Sequence, residues 1–398
     1  MSFKNTLHAL CFLAALPATA QETAVSRPQP GPEQQTDIVD LRRRLFGNSA
    51  PRTDSGQSQF SLIPGVGFAP ASGLSFSLTA VSTFRPKGGT GTEKLSNIIG
   101  SASASVKGQI VLQGNAVVFS RGDRRHFLAE WRYMRYPSPT WGLGPASEEA
   151  AQYKVDFDYL KLHQAYLWRV GRNLYAGPGL FGDLLWRISE QLPAGQGTDF
   201  KSYGIRHQER ALGPALRVLY DSRVNAVNPG GGTYASLALR SVLEELGSTN
   251  SWQSAQIDLR HYLPVGRRGN VLAFWNYDWL TLGGNRPPYL LLPSTGWDDN
   301  YNTGRGYQQG RYRGRNLLYL ESEFRFGLTR NGLLGAVAFA NAQAFPDDPL
   351  KGIGRVLPGA GAGLRVKLNK YSGTNLAFDY GFGAGGSQFL ALNVGEVF

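Results

Sequence analysis

The sequence predicts an all-β chain, a 16-stranded antiparallel transmembrane β-barrel, and three observations carry that expectation. Apolar and polar residues alternate from about Gln59 to the end of the chain. Glycine, at 50 of 398 residues, stands well above its usual share of about 7% and keeps company with abundant Tyr, Phe and Trp; such a mixture of turn formers and aromatics favours strands over helices. No segment beyond the first 20 residues offers the roughly 18 uninterrupted apolar residues of a membrane helix, so a chain of this kind that spans a bilayer must do so as a closed barrel.

The first 20 residues, MSFKNTLHALCFLAALPATA, combine one lysine, an apolar run from Ala9 to Leu16 and the small-residue ending Ala18-Thr19-Ala20. They read as a cleavable secretory signal, with the mature chain starting at Gln21. The only cysteine, Cys11, lies inside this signal, so the exported chain is expected to fold without disulfides. Loss of Lys4 takes the formal charge from +12 to +11. For an exported chain that charge points to outer-membrane lipids and lipopolysaccharide as partners rather than to nucleic acid.

From Gln21 to Ser58 the chain is polar and proline-rich, except for TDIVDLRRRLFG. There Ile38, Leu41 and Leu45 recur at helical spacing, Asp37 is placed to cap a helix over 37–46 and Gly47 to stop it. The segment is close to the roughly 40 residues below which domains seldom fold unaided, and reads as a periplasmic linker with one small docking helix. The Arg42-Arg43-Arg44 cluster is either a solvated run or a contact to the barrel or to anionic headgroups.

From Gln59 onward period-2 alternation dominates. Leu318, Leu320, Phe324 and Phe326 oppose Tyr319, Glu321, Glu323 and Arg325; Leu364, Val366 and Leu368 oppose Arg365, Lys367 and Asn369. Leu376, Phe378, Tyr380 and Phe382 oppose Asn375, Asp379 and several small residues, and Ile257 and Leu259 oppose Gln256, Asp258 and Arg260. In a soluble sandwich the apolar face is the core, whereas in a membrane barrel it meets lipid and the charged face lines the lumen. The secretory signal, the long repetition and the aromatic ending LALNVGEVF favour the barrel. Sixteen segments can be placed between 59–68 and 387–398, an even number as single-chain bacterial barrels require. The run from Val155 to Val170 changes parity midway, from Phe157 and Tyr159 to Leu160 and Leu162, and predicts a bulge.

GFGAGG at 381–386 matches a dinucleotide-binding pattern, but with strand on both sides and no following helix it reads as strand and turn glycines. GxSxG and HExxH are both missing, and His126, His163, His207 and His261 are isolated, so no enzyme, cofactor or metal site is expected. A serine enzyme assembled from distant strands, as in outer-membrane phospholipase, stays open.

Five pieces in order carry a resemblance: YDSRVNAVNPGGGTY, with Asp221, Arg223, Pro229 and Gly232; IDLRHYLP, with Asp258, Arg260, Tyr262 and Pro264; LGG at 282–284; the loop bearing GRGY; and LESEFRF. Together they resemble the BamA/TamA family of outer-membrane assembly barrels. The resemblance implies that the loop between strands 11 and 12, Leu282 to Gly314, folds back into the lumen and sets Arg305 of Arg305-Gly306-Tyr307 against Glu321 and Glu323. Guanidinium is a fixed fork suited to carboxylates, and Gly304 and Gly306 permit close backbone approach. Where the family usually carries Phe-x-Asp on the next strand, this chain reads Phe339-Ala340-Asn341; the amide of Asn341 can still accept a hydrogen bond but brings no charge, which makes Glu323 the first candidate for the remaining counter-ion. Arg311, nearer the returning strand, is expected to be solvated.

The first strand, QFSLIPGVGFAP, holds Pro64, which cannot donate to a ladder, and Gly65 and Gly67, which weaken it further. In the resembled family the seam between first and last strands is the proposed exit for client strands, here flanked by Pro64, Gly65, Gly67 and Phe398; a distortion at a barrel rim explains Pro64 equally well. Members that assemble or secrete proteins carry POTRA domains before the barrel, and the linker is too short for one. A barrel without that module either depends on partner proteins, serves another transport task or has lost assembly function; the resemblance itself implies insertion or translocation of polypeptides, with client proteins and periplasmic accessory proteins as partners. The alternatives are a passive pore with a basic lumen (Arg260, Arg365, Lys367) that favours anions, and a structural barrel anchoring a periplasmic partner through the 37–46 helix.

Overall fold

The computed structural model describes residues 32–38, 40–41, 59–69, 72–86, 94, 96–192, 199–204, 206–266 and 269–398. The signal expected over 1–20, with Cys11, lies outside them, as do Val39 and residues 42–58, which hold most of the expected 37–46 helix. The strands are β1 (Gln59–Ala69), β2 (Gly73–Phe84), β3 (Ser96–Ser105), β4 (Ile110–Phe119), β5 (Arg125–Arg135), β6 (Tyr153–Gly171), β7 (Leu174–Gln191) and β8 (Gln208–Asp221). They continue as β9 (Gly232–Val242), β10 (Trp252–Val265), β11 (Asn270–Leu282), β12 (Leu317–Gly327), β13 (Leu334–Ala344), β14 (Val356–Asn369), β15 (Thr374–Gly383) and β16 (Gln388–Val394). A three-residue piece, Ser138–Thr140, extends the β5 side of the wall by pairing with the start of β6.

Every strand pairs antiparallel with the next, from β1–β2 through to β15–β16. The curved sheet nearly closes: the Leu392 carbonyl oxygen lies 3.7 Å from where a Cβ on Gly67 would stand. Among the described residues no hydrogen-bonded ladder joins β1 to β16.

Alternation puts Phe60, Leu62, Val66, Phe76, Leu320, Leu364, Phe378 and Phe382 on the exposed outer face, whereas Glu321, Glu323, Arg325, Arg365 and Asp379 are buried inside. An apolar belt around a polar interior inverts the soluble arrangement and is the pattern of a barrel immersed in hydrocarbon.

The parity change after Val155 has another cause than a bulge in that strand. The inner side chains of β6 run unbroken from Tyr153, Val155 and Phe157 to Lys161, His163 and Ala165, and the register with β5 is continuous. Its upper lumen face is apolar because Tyr289, Leu291 and Leu292 of the 283–316 loop pack onto it. One extra residue lies in the partner β7, where Asp156 faces Ser189 while Asp158 faces Trp186 and Arg187 sits at φ 53°; a second shift, with Arg169 opposite Tyr175 and Gly171 opposite Leu174, makes Val170 of β6 an extra residue at the end of the run.

The longest connections, 136–152 and 283–316, lie at the end where β1 finishes; most connections at the end where β1 begins and β16 finishes are short turns, such as 172–173 and 370–373. The N-terminal segment clasps the short-turn end. Thr36 N–H donates to the Asn331 carbonyl at 2.9 Å, and Lys370 Nζ lies 2.8 Å from the Asp40 carboxylate. Asp37 caps the described start of the helix, its Oδ1 accepting from Asp40 N–H at 2.9 Å.

Candidate functional site

The loop 283–316 returns through the lumen and lays its tip against β12–β15. Gly304 (φ 77°) and Gly306 (φ 118°) hold conformations that L side chains rarely adopt and bracket Arg305 in a tight turn, closed by Tyr307 N–H to the Gly304 carbonyl at 3.0 Å. A Cβ on Gly306 would stand 2.6 Å from the Phe382 carbonyl oxygen, and one on Gly383 only 2.5 Å from the Tyr307 ring. The tip fits because both surfaces lack side chains at the contact. Gly381 and Gly383, the first two glycines of GFGAGG, form this seat.

Arg305 is buried at 1% exposure. Its Nη2 donates to Glu321 and to Glu323, the latter at 2.5 Å, and its Nη1 lies 3.3 Å from Asp379 Oδ2. The Phe339 ring stands 3.7 Å beneath the guanidinium carbon. Burial alone would lower the Arg305 pKa, but the three carboxylates outweigh it and raise the group well above its ordinary value. Asn341 does not serve the guanidinium: its Nδ2 donates to the Arg305 carbonyl at 2.7 Å and so fixes the backbone of the tip. The third carboxylate comes from two strands further on, in β15. Asp379 reaches across because the intervening inner positions of β14 are Gly361 and Gly363; a Cβ on Gly363 would overlap the carboxylate. Its lumen parity was legible in the sequence, whereas the gap in the wall that lets it reach Arg305 is a matter of register.

Arg311 is buried, contrary to its expected solvation. It donates to Ser147 Oγ and carbonyl at 3.0 and 2.9 Å, pairs with Glu149 at 2.8 Å and stacks over Tyr312. Strand periodicity carries no signal for the 136–152 loop that folds over it. The opposite flank of the tip carries Asp298 and Asp299. Asp299 Oδ1 accepts from Lys161 Nζ at 2.8 Å, beside Glu130, while Asp298 accepts from the backbone of Thr303 and Asn302 at 2.7 and 2.9 Å. The loop is thus pinned to both halves of the wall.

The seam is flanked by β1 and β16 but not by Phe398. β16 stops at Val394, and Gly395 at φ 103° turns the last residues into the lumen, where Phe398 stacks on Trp275 with centroids 5.2 Å apart. Arg325 Nη2 donates to the Phe398 main-chain oxygen at 2.7 Å, and Asn302 of the plugging loop donates to the Val397 carbonyl at 2.7 Å. Arg325 also holds Glu323 at 2.7 Å, so tip and tail share one network. Pro64 lies in β1 opposite Leu78, in a strand with a ladder along one edge only. Gly65 and Gly67 leave room for the hydroxyls of Ser77 and Ser75, which would lie 2.4 and 2.9 Å from added Cβ atoms.

Two cations of the expected basic lumen are neutralised. Arg365 is held by Asp379 at 2.7 Å and Glu396 at 2.8 Å, and Arg260 by Asp258 at 2.7 Å. The histidines lie apart: His126 stacks on Phe119, His163 pairs with Asp183 at 2.8 Å, and His261 bonds Thr233.

No protein-family model matches the chain, and no curated protein sequence does. Solved structures do. The barrel resembles CdiB from Escherichia coli at a TM-score of 0.56 and 14% identity, over 87% of this chain and 68% of that one. For CdiB from Acinetobacter baumannii the TM-score is 0.54 and the identity 12%, over 85% and 60% of the two chains. For BamA from Haemophilus ducreyi lacking POTRA domains 1–3 they are 0.52 and 16%, over 86% and 71%. At these identities the likeness is one of fold.

Proposed function

We propose that this barrel, with the fold of BamA and CdiB, resides in the bacterial outer membrane and assists insertion or translocation of polypeptides there. The carrying observation is the unladdered seam between β1 and β16 beside a filled lumen. A sheet edge with unpaired N–H and C=O groups templates strand addition. Here the edge strand is weakened by Pro64 and Gly65, while the interior is occupied by a loop held by buried charge. Polypeptide would engage the wall rather than pass an open channel. No chemical step is involved; the driving force is the backbone pairing and burial of the client.

The test is a covalent staple across the seam. Gly67 and Leu392 are neighbours, which places Val66→Cys with Leu392→Cys at one level of the outer face. Oxidation of this pair should impair insertion of client barrels into vesicles, and reduction should restore it. Full activity of the oxidised form would sink the proposal.

A further inference from the structure

We infer that residues 222–231, the connection between β8 and β9, form a lid that crosses the short-turn mouth of the lumen and latches onto the turn 370–373 between β14 and β15. Asn225 Nδ2 donates to the Ser372 carbonyl at 2.9 Å, and Asn228 Nδ2 to the Gly373 carbonyl at 3.0 Å. Six strands, β9 to β14, stand between the two turns along the shorter way round the wall. At about 4.8 Å per strand that is roughly 30 Å of wall, so the contact is made across the opening. The surfaces fit closely. Gly373, at φ 77°, brings no side chain, and a Cβ there would stand 3.3 Å from Asn225 Nδ2 and 3.4 Å from Asn228 Cβ.

The lid is braced within itself and jointed at its base. Asn225 both shapes and latches it: Oδ1 accepts from the Val227 and Asn228 N–H groups at 2.8 and 3.2 Å, while Nδ2 faces the far turn. At the base, the Asp221 carboxylate holds the Arg223 guanidinium through two bonds of 3.0 Å, and the Asp221 carbonyl accepts from Lys94 Nζ at 2.9 Å. The neck is closed by Ser222 N–H to the Thr233 carbonyl at 2.9 Å. The chain returns through Gly230-Gly231-Gly232, where Gly232 takes φ 99° and a Cβ would stand 2.9 Å from the Ser222 carbonyl oxygen. Consecutive glycines beside a braced apex make a hinge. The landing turn is held from its other side by the N-terminal segment, Lys370 N–H donating to Asp37 Oδ2 at 3.2 Å and Lys370 Nζ to Asp40 Oδ2 at 2.8 Å. That segment therefore sets where the lid comes to rest. The lumen has two closures in series: the loop fixed by buried charge, and a lid fixed by two neutral hydrogen bonds, each of modest strength.

The experiment uses the full chain folded in detergent with Cys11→Ser, so that introduced thiols are the only ones. Lys367→Cys places a reporter on the inner face near the end of β14, and Val224→Cys, at the fully exposed apex of the lid, gives the rate for free access. A bulky charged maleimide should label the Lys367→Cys chain far more slowly than the Val224→Cys chain. Adding Asn225→Asp and Asn228→Asp keeps the Oδ1 acceptor that shapes the lid but replaces both Nδ2 donors with oxygen. Labelling of the Lys367→Cys chain should then rise about ten-fold, the effect expected of losing two hydrogen bonds, with the Val224→Cys rate unchanged. Equal rates for the two reporters in the latched protein, or no rise on removing the donors, would overturn the lid. A second measurement uses other positions: Asn228→Cys with Gly373→Cys sets Cβ atoms 3.4 Å apart, close to the separation of a disulfide. Oxidation of the folded chain should join them across the mouth, and a folded chain that fails to form the bond would overturn the inference. None of these readings depends on insertion activity, so the lid can fail while the proposed function stands.

Discussion

Arg305 concentrates the consequences of burying charge. It meets three carboxylates at 1% exposure, so removing it leaves Glu321, Glu323 and Asp379 to repel one another without solvent. Arg305→Ala should destabilise the folded barrel by about 3–5 kcal/mol, the range for breaking a buried ion pair, read as a lower unfolding temperature in detergent. Arg305→Lys should recover only part of the loss, because one ammonium cannot reproduce the fork. The adjacent Asp298 and Asp299 respond to acid in opposite senses. Burial raises Asp298, with backbone donors offsetting part of it; burial would raise Asp299 too, but Lys161, Arg240 and Arg217 hold it below the usual carboxylate range. A carboxylate with a raised pKa in the folded state gains stability as it protonates, whereas one with a depressed pKa loses its contribution as pH falls below its unfolded value. Docking of the loop, measured by hydrogen exchange over 295–312, should therefore hold or tighten as pH drops towards the ordinary carboxylate range. It should weaken only below that range, and release of the loop at mildly acid pH would contradict the assignment.

Single elements show what a linear reading can reach. The alternation of β12 placed Glu321 and Glu323 on the inner face, and strand bounds fall within a few residues of the segments read from period alone, because lipid on one side and charge on the other leave little freedom of register. Three features escaped. Phe157 looked like a change of parity because an inner wall can be apolar where a loop packs on it. Arg311 looked solvated because its partners, Ser147 and Glu149, are remote in sequence. Phe398 looked like the end of a strand because the left-handed turn at Gly395 is not distinguishable from any other glycine. The glycine seat is an element-scale device with a direct test: Gly383→Val puts carbon within 2.5 Å of the Tyr307 ring and should lift the tip from β15. The expected sign is ion conductance in planar bilayers where the unaltered protein is closed, and unchanged closure would show that the seat does not hold the plug.

At the scale of the molecule, rigidity and weakness are divided between two regions. The wall from β12 to β15 and the loop are locked together by Arg305, Arg325 and Arg365. The opposite resource is the seam, where β1 lacks a ladder on one side and β16 spans only Gln388–Val394. The sequence marked the weak strand through Pro64, but the strength of its surroundings emerges only when residues from four strands meet.

The inward turn at Gly395 also couples plug and tail. Val397 and Phe398 lie inside the ring, bound to Asn302 of the loop and to Arg325 of the wall. The chain end is therefore a clasp on the plug, each favouring the seating of the other, and because the tail continues from β16 the state of the loop is felt at a strand that borders the seam.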